Sequence, residues 1–403
     1  MSYKHLYAYY ADRGFAPTFA QLKDAAALAT YTQSRVRIFT DKLLLPPRVF
    51  SGARVLEFGP DTGENALAFA QWGARLHLAE PNAHAHAQIR SYFEQFQLSH
   101  HIDAISQVDV ESYPDSSPVD FIVAEGFIYT IQPSSRWLSV FSKQLRPEGL
   151  AIVSYYERHG AFQEMALRAL LSAYMRVKGG DPVSAARALF QTKWDSIPHT
   201  RAFESWVLDV LANPFVRLAN FIDAAELLDA AEDHGFSLYS SWPVYRQPLA
   251  PYWHRRVLGR ADELERDKDH LRRSRLSFLL GMKAYFVADD RGDLDSVGHA
   301  VNVALKAIDE SIDGAEPTKA LNDCADALAV ISSTLAGKTV FMESDSQRAA
   351  SRALIAALSR LLKLAADGDI AALVSLCNSD LAFIQSWGMP THFAVLRRSR
   401  DGL

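Results

Sequence analysis

The run Val55-Leu56-Glu57-Phe58-Gly59-Pro60-Asp61-Thr62-Gly63 constrains this chain more than any other stretch. A short apolar strand followed at once by a glycine turn lets the backbone leave a sheet sharply and come close to a ligand. A helix starting near Gly63 then presents unsatisfied N–H groups and a positive dipole end, where a carboxylate or phosphate can sit. Around this unit the pattern alternates. Strands are predicted at Arg54–Phe58, Arg75–Ala79, Ile102–Val108, Val119–Ala124 and Leu150–Tyr155. Helices are predicted at Glu64–Trp72, Asn82–Gln97 and Ser134–Leu145, the last broken by the turn Arg146-Pro147-Glu148-Gly149. Strands alternating with helices imply an α/β fold, a parallel Rossmann-like sheet with helices on both faces.

The flanks read differently. From about Tyr7 to Leu45 the chain is helical, with Leu22, Ala26, Leu28, Val36 and Phe39 on apolar faces, and Pro46-Pro47 ends it. Helix resumes from Tyr156 through Trp194 and from Phe203 to Leu211; Ala224–His234 is amphipathic and closes at Gly235. Phe236–Trp242 and Thr391–Leu396 read as further strands, and Arg260–Phe383 as an all-helical bundle. The organisation expected is an N-terminal helical lid segment (1–48) and a nucleotide-binding domain (49–245) with an acceptor-side helical insertion at about 157–215. A helical domain (246–387) and a strand returning to the sheet (388–403) complete it.

Composition narrows the class of function. With 49% hydrophobic and 22% charged residues the chain is globular, and a net charge of −5 supplies no overall field for nucleic acid or an anionic membrane. The basic patches Arg272-Arg273-Ser274-Arg275 and Arg397-Arg398 read as solvated faces. Two cysteines, Cys324 and Cys377, have no metal-ligand spacing and form no disulfide scaffold. No metal site, no membrane span and a cytoplasmic location are therefore expected.

Which nucleotide the turn receives follows from its charges. Gly63 is followed by Glu64-Asn65, so the lysine of a P-loop is absent. A dinucleotide fingerprint needs glycine where Asp61 stands, and Asp61 with Glu64 would repel a pyrophosphate. That disfavours a nicotinamide-dependent oxidoreductase. Glu57 places an anion where a ligand ammonium is received, and Glu80 ends the second strand where a carboxylate accepts from ribose hydroxyls. Together they suit a cationic aminoacyl-nucleoside.

These residues resemble the class I S-adenosylmethionine-dependent methyltransferases, in particular a bacterial-type branch carrying a large C-terminal helical insertion. Val55 to Gly63 matches the family's first motif except at Asp61. His77-Leu78-Ala79-Glu80-Pro81-Asn82 looks like its ribose-binding strand end, and Asp109-Val110 like its adenine contact. Ala124-Glu125-Gly126-Phe127 matches the end of the fourth strand, and Leu145–Gly149 the loop before the fifth. The similarity spans about Leu43 to Tyr156; Val207-Leu208-Asp209-Val210-Leu211-Ala212-Asn213-Pro214 is also similar to bacterial methyltransferases of unassigned substrate. The resemblance implies S-adenosylmethionine as cofactor, held by Glu57, Gly59, Pro60, Asp61, Gly63, Glu80, Pro81, Asp109, Val110, Glu125 and Gly126. It also implies an antiparallel last strand, which Thr391–Leu396 would supply.

Methyl transfer asks the protein to align a nucleophile and take its proton. His159, in the cluster Tyr155-Tyr156-Glu157-Arg158-His159, is a candidate general base, because histidine exchanges protons near neutrality; Tyr129 is the other candidate catalytic residue. Asp209 and His199 are weaker ones. Asn82 reads as a helix cap, Tyr7, Tyr9, Tyr10 and Phe15 as a lid or as sheet packing, and Arg35 as a surface arginine with the donor carboxylate as its alternative partner. The expected activity is O- or N-methylation of a small-molecule acceptor, with a homodimer through the helical domain as a possible assembly. The alternative is a non-catalytic Rossmann-like binding or scaffold protein whose helical part makes protein contacts.

Overall fold

In the computed structural model the residues described are 6, 8, 9, 22–114, 117–198, 201–246, 259–287, 291–337 and 339–400. The chain divides into two compact units: Met1–Tyr156 with Ile222–Lys268 and Thr391–Leu403, and Glu157–Phe221 with Asp269–Pro390.

The first unit is built on seven strands: β1 (Arg54–Phe58), β2 (Arg75–Ala79), β3 (Ile102–Ser106), β4 (Val119–Glu125), β5 (Leu145–Tyr156), β6 (Phe236–Trp242) and β9 (Thr391–Arg398). They lie in the order β3-β2-β1-β4-β5-β9-β6. The first five pair in parallel, and β9 is antiparallel to both β5 and β6. The sheet is therefore Rossmann-like, with the antiparallel strand that the resemblance implies. Its strands are nearly continuous apolar runs because both faces are covered. Val55, Phe121 and Val123 pack on one face beneath Glu64–Gln71 and Ala83–Gln95. On the other, Phe58 stacks on Phe141 of helix Ser135–Gln144 at 5.7 Å.

The first face is anchored by aromatic rings. Helix α1 (Ala25–Arg37) continues into a wider π-turn, Ile38–Lys42, which brings Phe39 down onto Phe50, Phe69 and Trp72 at 5.2–5.7 Å. Phe50 in turn lies 4.6 Å from Phe121 of β4. Leu22, Leu28 and Phe39 are buried as their spacing predicts; Ala26 is exposed, because α1 presents only a narrow stripe to the sheet. Of the expected aromatic lid, Tyr9 is buried, whereas Tyr7, Tyr10 and Phe15 lie outside the described residues, as does His199.

Two elements depart from the sequence reading. The turn predicted at Arg146–Gly149 is absorbed into β5, which already pairs with β4 at Leu145↔Val119 and shifts register before Phe121↔Leu150, with Glu148 at φ 65°. A two-stranded pair, β7 (Tyr285–Phe286) with β8 (Val340–Phe341), also sits among the helices of the second unit.

That unit is otherwise helical. Arg291–Asp313 packs on Pro317–Leu335, which packs on Asp345–Asp367, while Phe162–Lys178 contacts the first and third of these. Arg217 ties the loop before Ile222 to this group through Asp309 at 2.8 Å. The patch at Arg272–Arg275 is not a solvated face: Arg273 pairs with Asp269 at 2.8 Å and is half-buried. Cys324 and Cys377 are buried free thiols. Among the described residues no helix is long and apolar enough to cross a membrane.

The Phe50 ring packs on Phe39 of the π-turn, Phe69 of Glu64–Gln71 and Phe121 of β4, so Phe50→Ala opens a cavity on this face. A loss of about 3–5 kcal/mol is expected, read as an earlier unfolding transition in aromatic circular dichroism.

Candidate active site

The carboxyl ends of β1, β2 and β4 meet where a parallel sheet places its ligands. Glu57 is the fourth residue of β1, opposite Leu78 of β2 and Val123 of β4. Gly59 follows at φ 62°, its N–H donating to the Ala79 carbonyl at 2.9 Å. A Cβ there would lie 2.7 Å from Cε1 of Phe127, so the position demands glycine on both conformational and steric grounds. Pro60 accepts from the N–H of Gly63 at 2.9 Å and closes the turn. Gly63, at φ 96°, is the N-cap of Glu64–Gln71.

Asp61 stands where the family motif has glycine, and it takes the left-handed conformation, φ 49°. Aspartate is among the few side chains that tolerate that region. Its N–H donates to Glu80 Oε2 at 3.1 Å, while Asn82 N–H donates to Glu80 Oε1 at 2.8 Å. Glu80 thus clamps the turn to the end of β2. Asn82 caps Ala83–Gln95 by accepting from His84 N–H at 3.1 Å, and Pro81 lies between, half-buried. Asp109 accepts from Ser112 N–H at 2.8 Å, so here it shapes a turn, with Val110 buried beside it.

At the end of β4, Glu125 is paired with Arg35: Nη1 to Oε2 at 2.9 Å and Nη2 to Oε1 at 2.5 Å. Arg35 is 7% exposed, which overturns its reading as a surface arginine. Burial works against its charge, but Glu125 outweighs burial and the net direction of its pKa is upward. Gly126, at φ 81°, donates to Ser154 Oγ at 2.9 Å, and no described atom lies within 4 Å of where a Cβ would point. Tyr129 is buried with its ring edge-on to Tyr156 at 4.9 Å.

Glu57 and Glu80 are each 2% exposed, and burial pushes both carboxyls up to about 8. For Glu57 the neighbouring Glu125 pushes the same way and Arg35 opposes it; for Glu80 the amide of Asn82 opposes burial. Glu57 Oε2 is buried and accepts no hydrogen bond from a described group.

In the second unit, Glu157 and His159 form a buried pair. His159 Nδ1 lies 2.9 Å from Glu157 Oε1, and Glu157 Oε2 accepts from the backbone N–H groups of His159 and Gly160, each at 2.7 Å. His159 Nε2 is buried and bonded to no described group. Glu157 had no role in the sequence reading; the Glu-x-His spacing is the signal that marks it. Asp209 is held by Arg201 at 3.0 Å, beside Glu164, whose carboxyl is pushed up to about 8 by burial and then by Asp209. Among the described residues no three His, Cys, Asp or Glu side chains gather as a metal site.

A carboxyl whose folded-state pKa is about 8, against 4.5 as the ordinary value, holds a proton that the unfolded chain has released. Folding then takes up a proton between these values, so stability falls as pH rises through that window. Glu57→Gln removes one such group. The variant's melting temperature is expected to drop less than that of the wild type between about pH 5 and pH 8, measured by differential scanning calorimetry; equal drops would show that Glu57 does not titrate there.

Comparison with known proteins agrees with this geometry. The methyltransferase-domain family matches residues 29–241, from α1 to the end of β6. No curated protein sequence matches the chain significantly. Among solved structures, PKMT2 from Rickettsia typhi in complex with AdoHcy is similar at 16% identity and a TM-score of 0.40, covering 55% of this chain and 46% of that one. TehB from Haemophilus influenzae is similar at 16% identity and a TM-score of 0.26, covering 30% and 46%. The glycopeptide N-methyltransferase MtfA complexed with S-adenosyl-L-methionine is similar at 16% identity and a TM-score of 0.27, covering 32% and 51%. This chain thus spans about half the length of each, or less. With the family matched over more than half of its residues, and its motifs in order along one mixed sheet, the chain belongs to the class I S-adenosylmethionine-dependent methyltransferases.

Proposed function

We propose that this enzyme transfers the methyl group of S-adenosylmethionine to an oxygen or nitrogen atom of a small-molecule acceptor. The observation that carries the donor half is Glu57, a buried carboxyl with an unengaged oxygen at the end of β1, next to a turn that admits no side chain at Gly59. A buried acceptor left without a partner is costly, and a ligand that brings an ammonium group relieves it. The residues present therefore fit the donor. Its sulfonium supplies an activated methyl carbon, and the protein has only to hold both reactants and accept a proton.

Around that donor the remaining residues of the first unit divide the work. Gly59, Pro60, Asp61 and Gly63 shape the turn, and Glu80 with Pro81 addresses the ribose. Asp109 and Val110 border the adenine, and Glu125 with Gly126 borders the methionine end. Tyr129 is the acceptor-side hydroxyl. In the second unit, taken by itself, His159 is our candidate base: its Nδ1 lies 2.9 Å from Glu157 Oε1, which leaves Nε2 to accept a proton. The net charge of −5 favours a neutral or cationic acceptor over a polyanion.

Titration calorimetry with S-adenosylmethionine and S-adenosylhomocysteine is expected to show dissociation constants below about 1 mM, weakened about tenfold or more by Glu80→Ala. If neither ligand binds, and Glu80→Ala changes nothing, the donor half is wrong. In a transfer assay with labelled methyl donor, His159→Ala is expected to slow turnover by about 10²–10⁴-fold at unchanged donor affinity. Full turnover in that variant removes His159 from the reaction.

A further inference from the structure

Helix Phe162–Lys178 of the second unit begins inside a nearly closed shell of side chains. From Ala161 to Leu171 every residue is buried except Glu164, which is half-buried. A helix covered on all its faces is expected to be apolar all round. Three side chains in this run break that rule, and two of them are satisfied by carbonyls of neighbouring segments. Gln163 Nε2 donates to Leu280 at 3.0 Å, and Arg168 Nη1 donates to Val210. Glu164 is the exception. Its Oε2 is buried and accepts from no described group, although this is the one point of the run that water reaches. The packing therefore opens on a carboxyl group, and the opening is deep, because burial is the largest influence on Glu164 and pushes it up to about 8.

Three charged groups act on Glu164: Asp209 of the π-turn Val207–Leu211, Arg201 in the segment before it, and Arg168 one turn along its own helix. The arginines are engaged with their own chain. Arg201 gives Nη1 to Asp209 at 3.0 Å and both Nε and Nη2 to Ser205, while Arg168 holds the Val210 carbonyl. What the recess offers a ligand is a carboxyl oxygen in need of a donor. An anion entering here meets Glu164 and Asp209 with Arg201 already committed. A neutral hydroxyl brings a donor without a charge. A protonated amine brings both, and charge-assisted hydrogen bonds are the stronger kind. We propose that the recess at Glu164 is a binding site for a small protonated primary or secondary amine, with the Glu164 carboxylate as its counter-ion and hydrogen-bond acceptor. The site stands apart from the donor residues of the first unit and adds a ligand to the function proposed above. Near neutral pH the empty site keeps a proton on Glu164, so binding exchanges one cation for another. The carboxylic O–H bond breaks, its proton passes to the buffer, and the carboxylate pairs with the ammonium.

The test is calorimetry on the full chain with propylamine, 1-propanol and propionate, three probes of one size that differ in charge and donor. Titrations at about pH 7, repeated in buffers of different ionisation enthalpy, count the protons released on binding. Wild-type protein is expected to bind propylamine with a dissociation constant of about 1–10 mM and to release about one proton, with both other probes at least about tenfold weaker. Glu164→Gln keeps the shape of the side chain and is expected to weaken propylamine about tenfold or more and to abolish the proton release. Glu57 is the other buried carboxyl with an unengaged oxygen that burial pushes up to about 8, so Glu57→Gln is the control and is expected to bind propylamine as the wild type does. If Glu57→Gln loses the amine and Glu164→Gln retains it, the amine is held in the first unit and the proposal is overturned. Binding of propionate as tight as that of propylamine overturns it, as does propylamine binding without proton release, and neither result needs a variant that must fold. The absence of propylamine binding at about 50 mM, well above the affinity expected, overturns it as well and leaves the donor reading untouched.

Discussion

A carboxyl group taken out of water must find a cation, a set of N–H donors, or a proton. At the carboxyl edge of this sheet all three solutions occur side by side, and each fixes a different piece of the fold. Glu125 has a cation, and satisfying it draws α1 down onto the sheet through Arg35. Glu80 has N–H donors, and collecting them fastens the turn at Asp61 to the end of β2. Glu57 has neither on its Oε2, and it keeps a proton well above the usual carboxylate range. The turn, the covering helix and the strand ends are thus held in register by one problem of charge burial.

Much of this was legible because the chemistry is local. β1, β2 and β6 have the limits that their apolar runs indicate, and Asn82 caps the helix that its position predicts. The Gly59–Gly63 turn could be read because left-handed backbone leaves a mark in residue type. Asp61 looks like a departure in the sequence, and the structure explains it: the conformation that glycine would take is kept, with Glu80 holding the amide.

What stayed hidden depends on residues far apart in the chain. Arg35 and Glu125 are 90 positions apart, and the apolar spacing that marks Leu28 as buried says nothing of a buried arginine on the same helix. The strands β7 and β8 have two residues each and find one another across the helices between them, so no periodicity announces them. At Arg146–Gly149 the turn-forming composition persists as a bulge within β5: these four residues have no register partner on β4, and Glu148 is left-handed, while Leu145 and Leu150 on either side pair with it. Glu157 lay in plain view two residues before His159, but its importance comes from a burial that sequence does not report.

Lys193 in the second unit meets the same problem of charge burial in another way. It too is a buried cation, 2% exposed, and burial pulls its pKa down to about 7. Its ammonium donates to the carbonyls of Phe383 and Ser386 and rests over the rings of Phe383 and Trp387. Those partners are neutral and fixed, and they end the short helix Leu381–Gln385 in the manner of a structural clasp. Arg35 is given an anion and aromatic walls, and its Nε is left without an acceptor among the described residues. A cation buried for structure is satisfied by its own chain. Arg35 Nε and Glu57 Oε2 are each buried with no partner among the described residues, a deficit that the Lys193 ammonium does not share.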